Sequence, residues 1–571
     1  MSNGSFLSRI LPSSEAFQSK DAFINAIRVE DTLVVGDNKY VDADSKFLNQ
    51  DLEPTPPEKR TWDTWTYILL YTGISFGNWN LGSTMVGIGL NWWQAIIVIF
   101  VSQLISSIAM AFNSRAATMY HIGYPAVARA VFGMYGSYYF VAARAALAII
   151  WFGVQLYTGS SYLSNMMRAI FGSHFENIPN HIPESMGITT KGMLCFFLFW
   201  LIHFIFCFFR PYQLKKFFWF KGFVMVPGIV GVFIYCMIAC HGNVSGSLPT
   251  STGGSLGWFI MHAINSGMGN TATLITNQPD IARWSTSKNA AITSQLFVQP
   301  IAVTLSATFG ILATAGINRQ WGLELWNPWD LLDEIQTRNN HPGARFAIFL
   351  AAFCWMIGIL GTNIACNMIP FGSDSALLVP RFIDMRRGFF IVEFLAYAIV
   401  PWKIMASAAT FTTFLSGYGL FMASVVAIMI ADYFILSRGN IFVSHLYNPT
   451  KSNPHYRYTG GFNIQAIIAY LVGIALPFPG FAVSLGASGL NQSATDMFDL
   501  GWLLSFFTSL ILYPLICWVW PTENQKIIRE QRLAWEQQAK MYLGSNPSDG
   551  ALEVVQVVED KSQGSEKQVS L

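Results

Sequence analysis

Trp151 and Gln155 stand four positions apart in the run Arg144-Ala-Ala-Leu-Ala-Ile-Ile-Trp151-Phe-Gly-Val-Gln155. Residues at i and i+4 share a helix face, so a helix here sets an indole plane beside an amide that both donates and accepts hydrogen bonds. That pair suits a flat heterocycle with adjacent N–H and C=O groups, and it equally suits a core tryptophan whose glutamine bonds another helix. Asn363 and Asn367 repeat the spacing in Gly358-Ile-Leu-Gly-Thr-Asn363-Ile-Ala-Cys-Asn367. Two carboxamides on one face read the edges of a uracil- or hydantoin-like ring, or tie two helices together.

Arg144 and Glu393 are the clearest charges inside apolar runs, where a charge marks function by default. Arg144 lies about 10 Å along the helix from Trp151, so the expectation is that it braces its helix through carbonyls or a carboxylate. Glu393, near the end of a short run, reads as interfacial. His203 and His262 could carry protons or simply pack. No phosphate-binding loop, zinc-protease motif or nucleophile elbow is present, so the sequence offers no machinery for ATP-driven pumping or hydrolysis. No metal or cofactor is expected. The seven cysteines all lie in apolar runs without paired spacing and read as inert fillers.

These residues need elements that hold them in a particular solvent. Of 571 residues, 53% are hydrophobic and only 12% charged, and mean hydropathy is +0.39. That excludes an ordinary soluble enzyme and makes the lipid bilayer the solvent. The formal net charge of +2 gives no reason to expect a nucleic-acid partner.

With a ruler of about 20 apolar residues per span, twelve runs emerge: 65–88, 93–113, 139–167, 192–209, 217–240, 257–277, 290–315, 344–368, 388–402, 405–436, 463–486 and 500–520. We number them spans 1 to 12; the ninth is short. Lys and Arg concentrate in alternate loops, among them Arg129, Arg210, Lys215, Lys216, Lys221, Arg283 and Arg387, which places both tails in the cytoplasm. The sequons at Asn243 and Asn491 then fall outside. The chain divides into a tail (1–62), a transporter domain (63–520) and a second tail (521–571). Both tails read as disordered, the second after a charged helical segment from Glu523 to Lys540, and their lysines offer sites to ubiquitination machinery.

Two spans carry clusters of Gly and polar residues: Tyr71-Thr-Gly-Ile-Ser-Phe-Gly-Asn-Trp-Asn-Leu-Gly-Ser-Thr84 in span 1 and Asn265-Ser-Gly-Met-Gly-Asn-Thr-Ala-Thr273 in span 6. Unwound backbone inside a membrane is tolerated where it lines a site. Each cluster opens a group of five spans, and five is odd, so the groups run with opposite topology. This predicts an all-α polytopic protein with a 5+5 inverted repeat plus two further helices.

The segments Gly89-Leu-Asn-Trp-Trp-Gln94, Trp151-Phe-Gly-Val-Gln155, Asn277-Gln-Pro-Asp-Ile-Ala-Arg283, Thr362-Asn-Ile-Ala-Cys-Asn367, Pro380-Arg-Phe-Ile-Asp-Met-Arg-Arg-Gly388 and Ala431-Asp-Tyr-Phe434 resemble the nucleobase:cation symporter-1 family, in its fungal uracil/allantoin permease (Fur) branch. The likeness runs from about residue 60 to 520. It implies a LeuT-type fold of twelve spans and uptake of uracil, allantoin, uric acid or a related nucleobase or ureide across the plasma membrane, with protons as co-ion. It also implies that Trp151 stacks on substrate, Gln155 fixes it and Asn367 contacts its ring, with Asn363 in support, Asn270 and Thr271 supplying the span 6 contact, and Ser75 and Phe76 facing the site. Sodium-coupled relatives use adjacent hydroxyls in span 8; here Thr362 keeps one and Gly361 cannot supply the other. Sister branches suggest uridine, thiamine or nicotinamide riboside as alternative cargo, and the long tails suggest a transceptor.

Overall fold

The computed structural model describes residues 40–44, 46–244 and 255–544, with Ser19, Ile24, Arg28 and Val29 before them. Each of the twelve apolar runs coincides with helix. Among the described residues, eight helices are long and apolar enough to cross a membrane: Trp92–Tyr120, Gly136–Phe171, Thr190–Phe208, Lys215–Ala239, Ser294–Trp321, Pro342–Leu378, Ala408–Leu436 and Gly501–Val519. A ninth is the pair Ile464–Ala475 and Phe478–Ser484, bent by 50°. Large apolar side chains such as Phe223, Ile238, Ile301, Ile511 and Trp518 stay exposed on the outer faces, as a bundle solvated by hydrocarbon requires.

The three remaining spans are broken, polar or short. Span 1 is helical over Thr64–Ser75, narrows to a 3-10 turn at Phe76–Asn78 and resumes at Trp79–Gly87. Asn78 Nδ2 reaches back to the Ile74 and Ser75 carbonyls at 3.2 and 3.0 Å, so the break satisfies its own backbone. Span 6 differs from expectation: the run 265–273 lies inside a continuous helix, Leu256–Thr276, and the interruption comes only before Gln278–Ala282. The polar side chains bond neighbouring helices instead. Asn265 Nδ2 donates to Phe498 O at 3.0 Å and its Oδ1 accepts from Trp502 N at 2.8 Å, while Ser266 meets Ser416 at 2.7 Å. Span 9 has only Met385–Leu395 before a 3-10 turn.

Small residues let the central helices touch. A Cβ on Gly82 would overlap the Ala307 carbonyl of span 7, and one on Gly310 would overlap that of Trp79 in span 1. Spans 1 and 7 therefore cross backbone to backbone, the close approach typical of membrane helices.

Arg144 braces span 3 against carboxylates. Its Nη2 lies 2.5 Å from Asp374 Oδ1 in span 8 and 2.6 Å from Asp280 Oδ2 beyond span 6, and its guanidinium covers the Tyr124 ring at 3.8 Å. The seven cysteines are free, five of them buried.

The first tail departs from the expected disorder over residues 46–62, and the second opens in helix as expected. Residues 46–62 run across one end of the bundle: Arg283 donates to Asp51 O and Thr55 Oγ1, both at 2.8 Å, Asn49 Nδ2 to Pro380 O at 2.9 Å, and Tyr447 to Leu52 O at 2.9 Å. After span 12, short helices Glu523–Glu530 and Gln537–Gly544 follow. Glu536 forms a two-pronged pair with Arg115, both arms 2.7 Å. Burial would push the Glu536 carboxyl up, but Arg115 and the Tyr433 hydroxyl hold it below its ordinary range. A carboxyl with a lowered folded pKa stabilises above its ordinary titration and loses that contribution as pH falls through the folded value. Glu536→Gln is therefore expected to speed proteolytic release of the C-terminal segment severalfold at neutral pH, with little difference from wild type in strong acid; digestion of the detergent-solubilised protein checks it. Lys20, Lys561, Lys567 and Ser245 of the first sequon lie outside the described residues, whereas Asn491 of the second is exposed.

Candidate functional site

Spans 1, 3, 6, 7 and 8 converge on a cavity lined among others by Asn78, Trp151, Gln155, Asn270, Gln299, Thr362 and Asn367. The helix-face argument for Trp151 and Gln155 holds because span 3 is regular through Gly136–Phe171. The indole is boxed by span 10: Phe411, Phe414 and Tyr418 meet it with centroids 6.4, 5.6 and 6.2 Å away and planes tilted by 83°, 58° and 86°. None of the three lies parallel to its face, the arrangement in which an aromatic ligand stacks.

Asn367 sits in a π-helical turn, Ile364–Met368, that interrupts span 8. Such turns recur at functional sites because they release a side chain from the regular helix face. Its Nδ2 donates to Asn363 Oδ1 at 2.8 Å, and Asn363 Nδ2 donates to the Phe152 carbonyl at 3.3 Å. Asn363 is fully buried and stands behind the lining rather than in it. Asn270 lines the cavity and donates to Asn78 Oδ1 at 2.8 Å. Thr271 borders it, but its hydroxyl is spent on Ser106 Oγ at 2.8 Å and Met268 O at 3.1 Å.

Ser75 and Phe76 do not line the cavity; their neighbours Ile74, Gly77 and Asn78 do. The 3-10 turn rotates the face presented, so Phe76 enters the core and Ser75 Oγ donates to Gln299 Oε1 at 2.8 Å. That bond orients Gln299, a lining residue that the sequence reading missed. Gln299 follows a second π-helical turn, Ser294–Val298, and its spacing from Gln295 was the available signal. Gln155 Oε1 and Gln299 Nε2 are buried without a hydrogen-bond partner. The cavity thus holds an unpaired acceptor and an unpaired donor, each costly to bury alone.

Lys221 is not a loop residue. It lies buried in span 5, with Nζ 2.7 Å from Thr362 Oγ1. A Cβ on Gly73 would fall 2.7 Å from Lys221 Cε, and one on Gly361 would fall 2.6 Å from Cδ. The missing hydroxyl at position 361 therefore has a physical reason: the lysine stem occupies its space, and its amine donates to the hydroxyl that remains. Glu393 is likewise fully buried rather than interfacial, with Oε1 2.6 Å from His203 Nδ1. His262, partly exposed, pairs with Asp499 at 2.8 Å.

Residues 54–505 match the family model described as permease for cytosine/purines, uracil, thiamine, allantoin. Among relatives from Saccharomyces cerevisiae, the allantoin permease is 31% identical over 85% of this chain and 78% of its own, the uracil permease 32% over 84% and 77%, and the uridine permease 31% over 84% and 76%. An inward-facing structure of Mhp1 has a TM-score of 0.64 at 21% identity, covering 86% of this chain and 99% of that one. A closed structure of Mhp1, described as a nucleobase-cation-symport-1 family transporter with bromovinylhydantoin bound, has a TM-score of 0.60 at 19% identity, covering 85% and 100%. At these identities the structural likeness establishes the fold, an all-helical LeuT-type bundle. The family match across most of the chain, with relatives above 30% identity, makes the protein a permease and not an enzyme: it belongs to the nucleobase-cation-symport-1 family.

Proposed function

We propose that this secondary transporter imports a uracil- or allantoin-like compound together with a proton, by alternating access across the plasma membrane with both tails in the cytoplasm. The observation that carries the reading is the unpaired pair at the cavity, Gln155 Oε1 and Gln299 Nε2. A ring or ureide with N–H and C=O groups supplies the missing partners while its plane lies on Trp151. Unpaired buried groups also reject analogues that cannot bond them. The relatives named for uracil and allantoin support the same class.

A proton as co-ion is supported by Lys221. Its side chain bonds Thr362 Oγ1 and fills the space beside Gly361, which argues against a sodium ion at that hydroxyl.

The test is uptake of labelled uracil in a host lacking its own carriers, with unlabelled allantoin, uric acid, uridine, thiamine and nicotinamide riboside as competitors. Free bases or ureides are expected to compete, accumulation is expected to collapse with an uncoupler, and sodium removal is expected to change nothing. Competition by nucleosides alone would overturn the substrate class; tail modification by ligand without accumulation would favour a transceptor.

A further inference from the structure

His203 in span 4 and Glu393 in span 9 form an acid–base pair buried away from the cavity. Both are fully buried, with Nδ1 2.6 Å from Oε1, while His203 Nε2 and Glu393 Oε2 have no hydrogen-bond partner. Trp200 Nε1 anchors the Glu393 carbonyl at 3.0 Å. The titratable groups facing the carboxyl are Cys207, whose Sγ donates to Oε1 at 3.5 Å, and Tyr397. Span 3 contributes the Phe152 ring, 4.8 Å from the imidazole at 77°. None of these neighbours is a cation.

Imidazole facing carboxylate leaves one net negative charge in a hydrocarbon setting, which is costly without a counter-ion. One further proton makes the pair neutral, as imidazolium with carboxylate or imidazole with carboxylic acid. Its neighbour Phe152 leads to the cavity: Asn363 Nδ2 donates to the Phe152 carbonyl, and Asn367 donates to Asn363. Trp151 precedes Phe152 on the same helix.

We propose that His203 and Glu393 are a proton-holding pair whose occupancy positions Phe152, and through Asn363 the Asn367 amide, for substrate. They are positioning residues, since neither lines the cavity. This deepens the proton-coupled reading and rests on it. Losing the proton leaves a charge that the packed interface must accommodate by moving, and span 3 is the element that carries Trp151 and Gln155.

The experiment measures KM and maximal rate for labelled uracil against external pH, with surface protein quantified and an uncoupler control. Wild-type KM is expected to rise with pH, by at most about tenfold per pH unit for one linked proton. Glu393→Gln, which removes the acid and leaves a lone imidazole, is expected to flatten that rise. The double variant His203→Gln/Glu393→Gln, an amide pair of similar size, is read alongside it and is expected to be equally flat. A surface-expressed variant that keeps the wild-type slope overturns the proposal, and so does failure of both variants to reach the surface, which would make the pair purely architectural. Wild-type uptake indifferent to the uncoupler would instead sink the proton-coupled reading, a separate outcome.

Discussion

Replacing Gln155 by leucine is expected to abolish most uptake while the protein still reaches the cell surface. Gln155 Oε1 is buried at the cavity without a partner, so folding loses nothing when it goes; removing an unsatisfied polar atom costs the native state little. The bound substrate, however, would leave an N–H unpaired in a closed site. That loss is worth about 1 to 3 kcal/mol, roughly 5- to 150-fold in apparent affinity, since each 1.4 kcal/mol is about tenfold. The measurement is labelled-substrate uptake normalised to surface protein. Normal KM in a well-expressed Gln155→Leu would remove this residue from the site.

Lys221→Met is expected to cost concentrative uptake rather than binding. Methionine keeps much of the apolar stem that fills the space between Gly73 and Gly361, so packing survives. What disappears is the amine on Thr362 Oγ1, a bond spanning spans 5 and 8. Such a hydrogen bond contributes about 0.5 to 1.5 kcal/mol. Without it spans 5 and 8 are no longer tied beside the cavity, and the variant is expected to exchange labelled for unlabelled substrate but fail to accumulate it. Gly361→Ser, which restores a second hydroxyl but collides with Lys221, is expected to be inactive alone. Undiminished, uncoupler-sensitive accumulation by Lys221→Met would exclude the lysine as the co-ion site.

The cavity was partly legible beforehand because its first residues obey a local rule. Trp151 and Gln155 are one turn apart on an uninterrupted helix, and i, i+4 spacing translates directly into a shared face. The same rule holds for Asn363 and Asn367, whose side chains bond each other, while the π-helical turn at Ile364–Met368 brings Asn367 onto the lining and leaves Asn363 behind it in support. Ser75 and Phe76 were misplaced because a 3-10 turn rotates span 1. The cluster in span 6 read as a break because Gly and polar residues look alike whether they unwind a helix or pack it; in the structure Asn265 and Ser266 bond spans 12 and 10. Lys221 followed Lys215 and Lys216 and was counted with their loop. Span 5 begins at Lys215, so six residues carry Lys221 about 9 Å into the helix.

The sequence by itself determined the solvent, the location of the twelve apolar segments and the face that span 3 turns inward, because hydropathy and helical periodicity act over one or two turns. Only the tertiary structure decided which faces meet. Ser75 orients Gln299 across 224 positions, His203 meets Glu393 across 190, and Lys221 reaches Thr362 across 141. The docking of residues 46–62 rests largely on backbone carbonyls of the tail and the loops, and every residue type carries a carbonyl. Those pairings depend on how helices cross, which small residues such as Gly82 and Gly310 permit but do not by themselves specify.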